Sequence, residues 1–73
     1  MDIKTVMKND MVAKLAILLC ESNIATSEQD ALCIVLNSET YQRLMDDKSG
    51  LFYQSPRYVF DFLLKELRYG KVR

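Results

Sequence analysis

The sequence contains no histidine and only two cysteines, Cys20 and Cys33, in 73 residues. Without histidine, the usual Ser–His and Cys–His nucleophile arrangements cannot form. The cysteines lie in the aliphatic stretches AILLC and ALCIVL, a setting typical of buried free thiols, and a disulfide between them stays open as the alternative. Zinc would need two more ligands at suitable spacing, which are missing. The pattern favours a reduced, intracellular protein.

Other catalytic signals are also absent. With only two glycines, the chain has no glycine-rich phosphate loop. The adjacent acids Asp46 and Asp47 are typical of a solvated helix end, since acid–base catalysis needs carboxylates in differently tuned pockets. They have no repeated oxygen ligands beside them for a cation. We therefore expect no enzymatic activity, no cofactor and no metal.

The chain has no excess of charge of either sign, with ten basic and ten acidic residues. Domains that neutralise phosphates carry a clear basic face. The only basic concentration is at the C-terminus, where cations suit the negative end of a helix and a following tail. The residues concerned are Lys65, Arg68, Lys71 and Arg73. The charge pattern disfavours nucleic acid as a partner.

Long apolar runs are missing as well. The longest near the N-terminus, Leu15 to Cys20, has six residues. A signal-peptide core needs about 7–15 residues and a membrane span about 18. Bulky Leu19 also stands directly before Cys20, where lipoprotein processing favours a small residue. These features predict a cytoplasmic protein without a membrane segment.

What the chain does have is apolar content, at 49% of residues. Its length predicts a single helical domain over residues 1–73. A chain of this size buries only about 60% of its unfolded surface. We therefore expect more apolar surface than one small core can hide.

The most clearly marked helix is the last one. Ser55 is placed to cap it, and Pro56 suits its first position, where a missing N–H costs nothing. Gly70 follows as a left-handed stop. These signals predict a helix over residues 56–69, preceded by a turn at Gly50.

Three further helices are predicted upstream. Ser27, followed by acids in the first turn, begins the second, and Ser38 begins a short third helix with the sequence ETYQRLMD. The first helix runs from near Asp10 to Ser22, with an earlier start near Asp2 as the alternative. The fold class is therefore all-α, a small bundle of about four helices. One short extended segment is expected near residues 51–54, in the sequence GLFYQ.

Six of the seven aromatic residues lie between residues 49 and 70. On a helical wheel of the last helix, one apolar face contains Val59, Phe60, Leu63, Leu64 and Leu67. A second cluster, formed by Tyr58, Phe62 and Tyr69, adjoins this face. The apolar arc is therefore about twice the ~100° that a surface helix needs. One interpretation buries all of it in the protein's own core. The other leaves part of it for a partner, with Phe52, Tyr58, Phe62 and Tyr69 as candidate partner-binding residues.

The segment SETYQRLMDDKSGLFYQSPRYVFDFLLKEL, with VAKLAILLCESN and SEQDAL before it, resembles a family of short bacterial proteins of unknown function. The resemblance covers roughly residues 10–67. It implies a bacterial source. Because some members are encoded beside predicted toxins, it also implies a protein partner and an antitoxin or accessory role. The matching residues are Tyr41, Leu44, Asp46, Gly50, Leu51, Gln54, Ser55, Tyr58, Val59, Leu64, Glu66 and Leu67.

The sequence thus predicts a protein–protein interaction module that binds itself as a homodimer or binds a partner such as a toxin. The alternative is a helix-turn-helix-like DNA-binding regulator built from the second and third helices. Its recognition helix would carry one arginine against Glu39, Asp46 and Asp47, an acidic balance ill suited to the major groove. A third interpretation, a lone structural domain, requires the aromatic residues to be buried.

Overall fold

The computed structural model describes residues 2–69, and this part of the chain contains four α-helices and no strand. The α-helices are α1 (Ile3–Glu21), α2 (Glu28–Leu36), α3 (Glu39–Met45) and α4 (Pro56–Tyr69). Two 3₁₀ turns, at Asp47–Ser49 and Leu51–Tyr53, connect α3 to α4. The predicted all-α fold with four helices is confirmed. The radius of gyration, 11.5 Å, agrees with the roughly 11 Å expected for a folded chain of this length.

The start of α1 follows the earlier of the two predicted positions. Asp2 has extended backbone angles, and its carboxylate accepts a hydrogen bond from the Lys4 amide at 3.2 Å. This side chain satisfies one of the amides that a helix start leaves unpaired. The first helix therefore spans Ile3–Glu21 and begins seven residues before Asp10.

Three serines begin the other helices, as predicted. The hydroxyls of Ser27, Ser38 and Ser55 each accept a hydrogen bond from the amide three residues further on, at 3.1, 3.0 and 3.2 Å. The predicted range 56–69 for the last helix is confirmed. The expected stop at Gly70 and the tail beyond it lie outside the described residues.

The core lies around α1, which contacts α2, α3, α4 and the second 3₁₀ turn. Every helix contributes at least one side chain with no exposed surface. Between residues 2 and 69, no buried polar side-chain atom lacks a hydrogen-bond partner. The fully buried large side chains are Leu15, Leu19, Val35, Leu44, Val59 and Leu63.

The prediction of an extended segment near residues 51–54 is wrong. Gly50 adopts a left-handed conformation with φ 68°, and Leu51–Tyr53 then form a 3₁₀ turn. The Tyr53 amide donates to the Gly50 carbonyl at 3.1 Å, which closes the turn. Consecutive residues of a tight turn can face the same side, so Leu51 and Phe52 are both buried while Tyr53 is exposed. Alternation along a strand would have separated Leu51 from Phe52.

The ammonium group of Lys8 joins α1 to the turns after α3. It donates to the Met45 carbonyl at 3.0 Å and to the Asp47 carboxylate, and it lies 5.2 Å from the centre of the Phe52 ring. The hydrogen bond from Lys8, its positive charge and, to a lesser degree, that of Lys4 lower the pKa of Asp47 below its ordinary value. Lys8 is therefore a polar anchor between distant parts of the chain.

The cysteines only partly follow the sequence-based expectation. Both are free thiols, but Cys33 is exposed on α2 and Cys20 is half-buried on α1. The aliphatic neighbours of Cys33 include buried Val35, which lies on another side of the same helix. The expectation that both thiols are buried is wrong, because local composition does not tell which side of a helix faces the core.

Candidate interaction surface

Helix α4 has one face in the core and one at the surface. Val59, Phe60 and Leu63 are buried against the rest of the protein. Tyr58, one residue before Val59, points about 100° away from it, because successive helical residues are separated by that angle. The core contacts of α4 therefore lie on a different face from Tyr58, which was predicted to bind a partner.

The exposed face carries an aromatic pair. Tyr58 and Phe62 lie one helical turn apart, with ring centroids 5.2 Å from each other and an interplanar angle of 82°. This edge-to-face geometry is favourable for aromatic rings. The two side chains remain 49% and 41% exposed, respectively. Because the two rings already have a defined arrangement at the surface, binding of a partner would cost less side-chain conformational entropy.

Tyr69 lies three turns beyond Tyr58 on the same arc of α4 and is 74% exposed. We call Tyr58, Phe62 and Tyr69 the aromatic face. The structure thus brings three of the four predicted partner-binding residues onto one side of one helix. Their full burial in the protein's own core, which the lone-domain interpretation requires, does not occur.

Phe52, the fourth predicted residue, is not part of this surface. Only 3% of it is exposed, and it packs in the core beside α1. The 3₁₀ turn that replaces the expected extended segment directs its ring inward, where the Lys8 ammonium lies over it. The expectation that Phe52 stays at the surface is therefore wrong.

Glu66 fixes the position of the aromatic face relative to α3. Its carboxylate accepts hydrogen bonds from the amides of Glu39 and Thr40, at 2.8 and 2.9 Å, and from the Thr40 hydroxyl at 2.8 Å. A carboxylate at a helix N-terminus is favourable both as a cap and through the helix dipole. Phe62, one turn before Glu66, lines a small depression of about 50 Å³ together with these residues and Arg43. The sequence offered no signal for this contact.

Opposite charges border the aromatic face. Asp61 and Lys65 form an ion pair of 3.4 Å along α4, and both side chains are largely exposed. Such a pair contributes little to the stability of the monomer. Arg68 lies next to them on the wheel and is also exposed. The border therefore offers charges of both signs to an approaching protein.

Leu67 also departs from the sequence-based expectation. The wheel places it on the core face, but 44% of it is exposed. It lies in the last turn of α4, four residues after the last fully buried residue of that helix, Leu63. The C-terminal part of α4 therefore has an exposed aliphatic side chain on the side of the helix opposite to the aromatic face.

A second apolar region, not predicted from the sequence, lies between α1 and the start of α4. It is a shallow groove of about 240 Å³ lined by Lys14, Ile17, Leu18, Pro56 and Arg57. Ile17 is 56% exposed there. The sequence signal for it is the apolar stretch Leu15 to Cys20, which contains Ile17 and Leu18.

Two classes of site find no support within residues 2–69. No group of three or more histidine, cysteine, aspartate or glutamate side chains is close enough to bind a metal ion. None of the described helices combines the length and the apolar character needed to cross a bilayer.

Comparison of the chain with protein-family models, curated proteins and solved structures finds no match. The resemblance to short bacterial proteins encoded beside toxins therefore stays a prediction.

Proposed function

We propose that this protein is a protein–protein interaction module that forms a homodimer through the aromatic face of α4. The observation that carries the proposal is the aromatic pair: Tyr58 and Phe62 are ordered against each other but remain about half exposed. Tyrosine and phenylalanine are enriched at protein interfaces, where they bury much area at little entropic cost.

The order of residues along α4 supports a second copy as the partner. A twofold interface must be complementary to itself. If two α4 helices pack antiparallel about a point near residue 63, Tyr58 of one copy lies opposite Tyr69 of the other, and the two Phe62 rings lie near the centre. Tyr58 and Tyr69 are about 16 Å apart along the helix, since each residue adds about 1.5 Å.

The bordering charges suit the same arrangement. In the antiparallel pair, Asp61 of one copy lies opposite Lys65 of the other, so each intramolecular ion pair gains an intermolecular counterpart. The net charge of zero adds no overall repulsion between copies. Complementary charges of this kind fix register and orientation more than they add affinity.

The expected dimer is weak. Full burial of an aromatic side chain removes about 150–250 Å², so three half-exposed rings on each copy supply roughly 600 Å² in total. A stable interface buries about 1,200–2,000 Å². The exposed residues that border the aromatic face, Asp61, Lys65 and Arg68, must supply part of the rest. The small area places the dimer in the transient, micromolar-to-millimolar class.

Sedimentation velocity between about 10 µM and 1 mM tests self-association over the range expected for a weak interface. The wild-type protein should show a rising weight-average mass, and the double variant Tyr58→Ser/Phe62→Ser should stay monomeric. Ile3→Ser is the matched control, because it removes an exposed apolar side chain at the far end of α1. A wild-type monomer throughout, or unchanged assembly of the double variant, refutes the proposal.

A charge exchange tests the orientation. Asp61→Lys alone places like charges across the proposed interface and should weaken the dimer. Adding Lys65→Asp restores opposite charges and should recover assembly. If the double variant Asp61→Lys/Lys65→Asp is as stable as the wild-type monomer but does not assemble, the antiparallel arrangement is wrong.

The arrangement of α3 weighs against the DNA-binding alternative. Its seven residues are held at the N-terminus by the carboxylate of Glu66 and are followed by Asp46 and Asp47. A recognition helix directs its N-terminal residues to the bases, but here a negative charge already occupies that end. Binding to promoter DNA at low salt, weakened by added salt, is the result that would favour the alternative.

A further inference from the structure

We infer that the groove between α1 and α4 is a second docking site, which takes an acidic, apolar segment of a partner protein. Exposed Ile17 and half-buried Leu18 of α1 and Pro56 of α4 form its floor. Its surface is almost wholly apolar, while two cations, Lys14 and Arg57, stand at its edges. The site combines an aliphatic floor with a positive rim.

The groove is distinct from the aromatic face. Arg57 directly precedes Tyr58 in α4, so the two side chains project about 100° apart. Pro56 lies on the core side of the helix, and α1 forms the other wall. A dimer through the aromatic face therefore leaves the groove accessible, and the inference does not depend on the proposed function.

The charges of the rim favour an anionic occupant. Within residues 2–69, no carboxylate forms an ion pair with Arg57, whereas Lys14 is paired with Asp10 at 2.9 Å. A guanidinium group can bind an incoming carboxylate through two parallel hydrogen bonds. Arg57 is therefore the principal recognition residue for the charge of the partner.

The size of the groove favours a peptide segment over a cofactor. Small-molecule sites have about 300–1,000 Å³ and enclose most of the ligand. This groove has about 240 Å³ and is open to solvent, which suits one or two aliphatic side chains projecting from a helix. Docking of an amphipathic helix in a groove is a common mode of peptide recognition.

The test uses a fluorescein-labelled peptide of about 16 residues, with leucines at helical spacing flanked by glutamates. A matched peptide carries lysine in place of every glutamate. Two-dimensional NMR of the ¹⁵N-labelled full chain should show shifts concentrated at Lys14, Ile17, Leu18 and Arg57 with the acidic peptide. Fluorescence anisotropy should give the lysine peptide at least about tenfold lower affinity.

Protein variants locate the effect. Arg57→Glu should weaken binding of the acidic peptide about tenfold and improve binding of the lysine peptide. Ile17→Ser should weaken both peptides, and Ile3→Ser, outside the groove, should change neither. Circular dichroism confirms that each variant is folded before it is titrated.

Four results overturn the inference. The first is that the NMR signals of the groove residues do not shift at millimolar acidic peptide, and the second is equal affinity for the two peptides. The third is tighter binding of decanoate than of the acidic peptide. The fourth is that the signals of the groove residues shift with protein concentration in the absence of any peptide. Decanoate binding would assign the groove to a small amphiphile, and the shifts without peptide would assign it to a second copy of the chain.

Discussion

Thr40 and Glu66 are joined by two hydrogen bonds to the same oxygen: Oε1 of Glu66 accepts from the Thr40 amide at 2.9 Å and from its hydroxyl at 2.8 Å. The residues lie 26 positions apart. A side chain of α4 thus caps the N-terminus of α3, a role that local residues usually fill. Because Phe62 lies one turn from Glu66, this contact also fixes the aromatic face against α3.

Replacing Glu66 should measure the strength of this contact. Glu66→Ala leaves the Thr40 hydroxyl and two amides without this acceptor and should lower the free energy of unfolding by about 2–3 kcal/mol. Glu66→Gln keeps an acceptor oxygen and should cost about 1 kcal/mol. Urea denaturation followed by circular dichroism gives both values. Arg68→Ala, an exposed change nearby, is the control and should stay within about 0.5 kcal/mol of wild type.

Local signals predicted most of the secondary structure. Ser27, Ser38 and Ser55 each cap the helix expected from the sequence, and Pro56 begins the last helix. These signals act within one turn, so they can be read without knowledge of the tertiary structure. The same holds for the three residues of the aromatic face, whose spacing alone separates them from the core face of α4.

Contacts between distant residues could not be predicted in the same way. Lys8 reaches the Met45 carbonyl 37 positions away, and Glu66 reaches Thr40. Neither pairing leaves a periodic pattern in the sequence. The direction of Phe52 depends on the positive φ of Gly50, which local composition indicates only as a turn. Leu67 shares a wheel face with buried Leu63 but is 44% exposed, because a wheel shows the direction of a side chain but not the extent of the neighbouring chain.

Two leucines of α4 offer a matched comparison. Leu63 has no exposed surface and Leu67 is 44% exposed. Leu63→Ala should lower the free energy of unfolding by about 2–5 kcal/mol through lost burial and a cavity, whereas Leu67→Ala should cost about 1 kcal/mol or less. Urea denaturation at low micromolar concentration compares the monomers. An equal cost at both positions would mean that Leu67 is covered in solution.

Phe52 and Tyr53 provide a similar test of the 3₁₀ turn. Phe52 is buried under the Lys8 ammonium, while the adjacent Tyr53 is exposed and its ring centroid lies 4.3 Å from that of Phe52. Phe52→Ala should cost about 3–5 kcal/mol, and Tyr53→Ala about 1 kcal/mol or less. Thermal and urea unfolding measure the difference. Similar effects of the two changes would contradict the assigned direction of these side chains.

The ion pair between Lys8 and Asp47 should make stability depend on pH in the acidic range. The hydrogen bond from Lys8 and its charge lower the pKa of Asp47 below the ordinary value of 3.8. Because the folded-state pKa is the lower one, the contribution of Asp47 is fully present above pH 3.8 and is lost as the pH falls through the folded-state pKa. Carboxyl ¹³C NMR titration should place the midpoint of Asp47 below 3.8 in the wild type and return it towards 3.8 in Lys8→Met. Lys65→Met, which leaves Lys8 in place, should not move the midpoint, and an ordinary midpoint in the wild type would rule out a persistent Lys8–Asp47 contact in solution.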